Sequence, residues 1–153
     1  MAIRYTPGQF RDALGLTKQT FRYWKRDLPA LAAVCGHSPC FGPGDLLATA
    51  VAKHVVDLAA LSVSRLAPLA SDLFAICHQN AWPQLERFAI LLLFESGRVD
   101  LVSLDAPLLP SREAAFYVPL PPLIDELRRK LLEAHDEGQR SLAFPPVSVR
   151  GRA

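Results

Sequence analysis

Five polar side chains near the start of the chain have types that suit contact with a charged polymer. Lys and Arg form charge-assisted hydrogen bonds with phosphate oxygens, and Arg, Lys and Gln pair with base edges exposed in the major groove of DNA. The five residues are Lys18, Gln19, Arg22, Lys25 and Arg26. Because Phe21 and Trp24 stand among them at helical spacing, a helix would bury the two aromatic rings and leave the polar set outside. The pattern indicates nucleic-acid binding.

Two short helices joined by a tight turn would position this basic surface. Thr6 to Gln9 resembles a capping box with proline at the first helical position, so a helix is predicted to begin there. Gly15 supplies the left-handed residue that ends this helix, and Thr17 is a suitable cap for a second helix over residues 18–27. This order predicts a helix-turn-helix, in which the second helix enters the major groove.

The charge distribution supports the same interpretation. The chain has 153 residues and a net charge of only +2. Residues 1–27 contain six basic and two acidic side chains, whereas residues 28–153 contain eleven basic and thirteen acidic ones. A basic segment on a mildly acidic body is expected when one end of a protein faces phosphates.

The rest of the sequence predicts an α+β fold that is mainly α. Residues 29–44 are rich in proline and glycine and predict a loop or short hairpin, a candidate wing. Further helices are predicted from Pro43 to Leu61, with Leu58 on the apolar face, over residues 64–79 and over residues 121–134; strands are predicted over 88–94, 99–104 and 114–118. We therefore expect a winged helix-turn-helix over residues 1–80, a small hairpin-and-helix domain for dimerisation or partner binding over 81–137, and a flexible tail over 138–153.

Four segments, in matching order and spacing, resemble the MerR family of bacterial and phage regulators. They are Tyr5–Gln9, Leu14–Thr17, Thr20–Lys25 and Phe41–Leu47. The resemblance covers about residues 4–76 and implies a DNA-binding winged helix. It also implies that Arg22 and Tyr23 contact phosphate and that Lys18 and Gln19 lie nearest to base edges. The full set of expected DNA contacts is Thr17, Lys18, Gln19, Arg22, Tyr23, Lys25 and Arg26.

The expected function is sequence-specific DNA binding in transcription control, as a homodimer, since two half-sites raise affinity and specificity together. Two alternatives remain open at the sequence level: a protein-interaction adaptor with a degenerate helix-turn-helix, and an excisionase-type architectural DNA-binding factor. A solvated basic helix on an ordinary helical protein would also produce the pattern. The apolar hairpin over residues 88–104 fits either a packed core or a surface for a second copy or a partner.

Neither catalysis nor a cofactor is indicated. The histidines have no neighbouring nucleophile and carboxylate at a recognisable spacing. Cys35, His37 and Cys40, with Cys77 and His78, offer zinc-ligand types, but the alternative is that the cysteines are small core residues, and we expect no metal. No apolar leader begins the chain and its longest apolar run is short, so we expect a cytoplasmic protein with reduced thiols and no membrane segment.

Overall fold

The computed structural model describes residues 3–34, 39–108 and 112–141, with side chains up to residue 135. These residues form an α+β structure that is mainly helical, as the sequence predicted. The α-helices are α1 (Pro7–Leu14), α2 (Lys18–Asp27), α3 (Pro29–Ala32), α4 (Pro43–Ala59), α5 (Ala67–Gln79), α6 (Trp82–Leu85) and α7 (Leu120–Ser141), and a 3-10 helix spans Val63–Leu66. The strands are β1 (Phe88–Leu93), β2 (Arg98–Ser103) and β3 (Ala115–Pro119).

Strand β1 is the middle of an antiparallel sheet with the order β2-β1-β3. Leu92 lies opposite Val99 on one side and Phe116 on the other. Because side chains alternate along a strand, Leu92 faces the helices while Leu91 faces away from them. The predicted hairpin and third strand are confirmed, with Gly97 in the left-handed conformation at the end of the turn.

One cluster of buried side chains extends from α1 to α7 and includes the inner face of the sheet. Helix α7 packs against α1 and α4, and α5 packs against β2. Phe10, Leu46 and Leu69 from the N-terminal half and Ile90 and Ile124 from the C-terminal half belong to the same cluster. The two halves therefore share apolar burial, and their division into separate domains at residue 80 remains a prediction.

Three sequence predictions need correction in the described part of the chain. Pro29–Ala32 was expected to be loop but forms one helical turn, because proline suits the first helical position and Leu31 is fully buried. Leu58 was expected on the apolar face of α4 but is 70% exposed, because the helix projects beyond the core at its end. Helix α7 continues to Ser141, past the expected start of the tail.

Residues 35–38 of the candidate wing lie outside the described residues, as do residues 142–153 of the expected tail. In the described part of the wing, Phe41 forms an antiparallel bridge with Tyr5 rather than with a second strand of its own hairpin. None of the described helices is both long enough and apolar enough to cross a lipid bilayer.

Candidate nucleic-acid interface

Helix α1 and the turn after it are built from local capping contacts. Thr6 accepts a hydrogen bond from the Gln9 backbone N–H at 3.2 Å, and the Gln9 side chain accepts one from the Thr6 N–H at 2.9 Å. Gly15 ends the helix with φ 65°, and its N–H bonds back to the last turn. Leu16 is buried after it. The predicted capping box and glycine turn are both confirmed.

Three phenylalanine rings in mutual contact anchor helix α2 on the core. Phe21 lies 5.5 Å from Phe10 and 5.8 Å from Phe41, measured between ring centroids, and Phe10 stacks on Phe41 at 4.3 Å. Trp24 and Leu28 are also buried, at the spacing expected for the same side of the helix. Since aromatic pairs add to the free energy of burial, this cluster fixes the orientation of α2.

The side of α2 opposite the aromatic cluster is polar and accessible. At 100° per residue, Gln19, Arg22, Tyr23 and Arg26 point most directly away from Phe21 and Trp24, and all four are exposed. Lys18 and Lys25 lie at one flank, where Lys18 is exposed and Lys25 is half-buried. The expected contact residues thus lie on one continuous surface, with Lys25 at its margin.

Thr17 stands at the edge of this surface but its hydroxyl is already engaged. It accepts a hydrogen bond from the Thr20 N–H at 3.1 Å and lies 2.9 Å from the Thr20 hydroxyl. Its contribution is therefore to begin helix α2. Helix N-termini stabilise nearby anions, so a phosphate near this turn would be favoured.

Most of the positive charge on α2 is not neutralised inside the protein. Arg26 is paired with Asp27 at 2.9 Å and lies over the Tyr23 ring at 5.1 Å. The hydrogen bond to Asp27 raises the pKa of Arg26, so its guanidinium stays protonated. Within the described part of the chain, Lys18, Arg22 and Lys25 form no ion pair. The surface is therefore a cationic one.

Sequence reasoning missed one further cation, on an element that contacts α2. Arg65 is exposed on the 3-10 helix, and that helix contacts α2. No local pattern could have revealed it, because its proximity to α2 results from a contact between segments about forty residues apart. Arg65 is therefore an exposed cation on an element next to α2.

Two residues of the possible zinc site, Cys35 and His37, lie outside the described residues. Among the described ones, no three potential ligands are placed where they could share a metal ion. Cys77 is in the core, and burial, with the nearby Asp45 carboxylate, raises the pKa of its thiol to about 12. It behaves as a small core residue, one of the two interpretations considered from the sequence.

His78 has a different partner, which the sequence did not reveal. Its Nε2 atom lies 2.7 Å from an oxygen of the buried Asp45, whose other oxygen accepts from the Gly42 N–H at 2.8 Å. This contact joins the start of α4 to the end of α5. It therefore links the two helices directly.

Compared with protein-family models, with curated proteins and with solved structures, the chain has no match. The geometry of α2 and its surroundings is therefore the basis for assigning a function.

Proposed function

We propose that this protein is a sequence-specific DNA-binding regulator of transcription that inserts helix α2 into the major groove and acts as a cytoplasmic homodimer. In this proposal α1 and α2 form a MerR-like helix-turn-helix, and the segment before α4 corresponds to the wing. The observation that supports it best is the outer surface of α2. Arg22, Tyr23 and Arg26 are exposed there, with Lys18 at the flank, while the opposite side is fixed by buried rings.

The mechanism follows from the charges. Lys and Arg displace counterions condensed on the phosphates, so the binding constant falls steeply with salt concentration. Phosphate contacts set the position of the helix, and a few side chains read base edges. Lys18 and Gln19 are suited to reading, since Lys pairs with guanine and Gln with adenine in the major groove.

The outer face of the sheet supports the dimeric part of the proposal. Leu91, Val102 and Tyr117 share this face, and Tyr117 is 38% exposed. A Tyr117→Asp substitution is expected to shift the protein from dimer to monomer in size-exclusion chromatography with light scattering. Leu58→Asp, which alters an exposed leucine on another surface, is the control and should leave the mass unchanged. A monomeric wild-type protein would refute the dimer.

DNA binding is tested by selecting duplexes from a random-sequence pool with the wild-type protein and measuring affinity by fluorescence anisotropy at several salt concentrations. The Arg22→Ala, Lys25→Ala double variant removes two cations from α2. Arg129→Ala, Lys130→Ala removes one exposed and one half-buried cation from α7, which matches the exposure of Arg22 and Lys25. Since each phosphate contact contributes about 0.9 to the slope of log K against log salt, the first variant should lower the slope by about 2 per protomer.

The control variant should keep the wild-type slope. Equal affinity for all three proteins, or equal losses in both variants, would refute the assignment of α2 as the interface. If no duplex is enriched above background while a protein partner binds the hairpin region, the adaptor alternative is favoured. If selected duplexes bind without sequence preference but bend on binding, the architectural alternative is favoured.

A further inference from the structure

We propose that a groove between α7 and the start of α4 binds a small apolar molecule that has an acidic group. The groove has a volume of about 750 Å³, within the usual range for small-molecule sites. Its apolar lining includes Ile3, Tyr5, Trp82, Leu131 and Leu132. No residue of α2 lines it, so the inference does not depend on DNA binding.

The charge of the groove determines the class of ligand. Among the described residues that line it there is no aspartate or glutamate, and Arg128 is its cation. An apolar ligand with a carboxylate or sulfonate would therefore meet a complementary charge. A cationic ligand of the same shape would meet repulsion from Arg128 and find no acid in the described lining.

Both polar groups are held in place, and Arg128 keeps donors for a ligand. Arg128 is paired with Glu86 through one guanidinium nitrogen, and a guanidinium has further N–H groups for an anion. His78 is bound to Asp45 through Nε2, which leaves Nδ1 for other contacts. Because these supporting contacts fix the side chains before binding, a ligand would lose less free energy in ordering them.

The apolar walls are also fixed in advance. The Trp82 indole N–H donates to the Pro43 carbonyl at 3.2 Å, which holds the ring at the edge of the groove. Burial raises the pKa of Tyr5, so its phenol stays neutral and can donate a hydrogen bond. Ile3 and Leu132 are 63% and 67% exposed, which is unusual for large aliphatic side chains that share one surface. A bound apolar body would remove both from water.

The test uses a matched pair of fluorescent probes and the full chain. 1-Anilinonaphthalene-8-sulfonate is apolar with a sulfonate, and N-phenyl-1-naphthylamine is the same body without it. The wild-type protein is expected to bind the sulfonate saturably with one site and more tightly than the neutral probe. Arg128→Gln should weaken sulfonate binding about tenfold and change neutral-probe binding less than about twofold, because only the charge-assisted contact is lost.

Two further variants distinguish binding in the groove from a general effect of surface charge or of folding. Arg129→Gln removes a neighbouring cation that points to solvent and pairs with Glu133, and it should bind both probes as the wild type does. Leu132→Asp places an acid in the groove without burying it, and it should abolish sulfonate binding while circular dichroism stays native. Absence of saturable binding, equal losses in the two arginine variants, or an unaffected Leu132→Asp protein would overturn the proposal.

Discussion

Gly8 and Gly44 form a matched pair that tests the packing between α4 and α5. Each follows the proline that begins a helix, and each helix has a capping contact from its third residue. Their surroundings differ. A Cβ at Gly8 would meet only the Thr6 hydroxyl at 3.8 Å, whereas a Cβ at Gly44 would lie 2.3 Å from His78 Cδ2 and 2.8 Å from the Cys77 carbonyl oxygen.

These distances predict that the two alanine substitutions change the free energy of unfolding in opposite directions. Alanine in place of glycine stabilises a helix by roughly 0.5–1 kcal/mol where nothing obstructs it, so Gly8→Ala should be neutral or stabilising. At Gly44 the same gain is opposed by overpacking of about 1–3 kcal/mol, since the Cys77 carbonyl is backbone and moves only with α5. Displacing His78 also disturbs its 2.7 Å contact with Asp45. After subtraction of the helix gain, Gly44→Ala should lower the free energy of unfolding by about 1–2 kcal/mol.

Urea unfolding followed by circular dichroism measures both variants, with unchanged slopes required for a direct comparison. A double-mutant cycle with His78→Ala identifies the cause. Without the imidazole, the alanine at position 44 still meets the Cys77 carbonyl, so its cost should fall but not vanish. Equal unfolding midpoints for Gly8→Ala and Gly44→Ala would contradict the close packing of α4 against α5 at Gly44.

Other substitutions test the helix ends and the core. Gly15→Ala should destabilise by about 1 kcal/mol and Ala60→Gly should stabilise by up to that amount in thermal unfolding, since both residues have positive φ at helix ends. The pKa of Cys77 is raised to about 12, so the free energy of unfolding should fall by roughly 1 kcal/mol between pH 8 and pH 10, where only the unfolded thiol ionises. The free energy of unfolding, measured with urea at both pH values, should decrease less in Cys77→Ala than in the wild-type protein. Asp45→Ala should lower the free energy of unfolding by about 2 kcal/mol in the same assay, because a buried N–H loses its acceptor, whereas the exposed Asp72→Ala should change it little.

The parts of the fold that the sequence predicted correctly are those determined by neighbouring residues. The Thr6 capping box, the Gly15 turn and the Thr17 cap involve residues at most three or four apart, so their geometry follows from local chemistry. The burial of Phe21 and Trp24 follows from helical periodicity for the same reason. The bounds of α1 and α2 and the exposed surface of α2 therefore follow from the amino-acid sequence alone.

The contacts that sequence reasoning missed all join distant segments. The pairing of Asp45 with His78 depends on how α4 and α5 pack. The 3-10 helix that carries Arg65 contacts α2 through a similar long-range arrangement, and Arg128 lines its groove because α7 packs against α1 and α4. The periodicity of a sequence carries no information about contacts between distant segments. The extension of α7 past Gly138 has a different reason: a glycine lowers helix propensity by only about 1 kcal/mol, too little to end a long helix.

The exposed cations of α2 are better explained by binding than by stability. Lys18, Arg22 and Arg26 follow one another at four-residue spacing, where like charges destabilise a helix. Of these three, only Arg26 has an acidic partner within the described residues, so the repulsion remains in the free protein. A surface with only a structural role could combine basic and acidic side chains without loss of stability. Helix α7 does this with pairs such as Arg129 and Glu133. The buried rings beneath α2 offset this repulsion, which is expected where a polyanion supplies the missing negative charge.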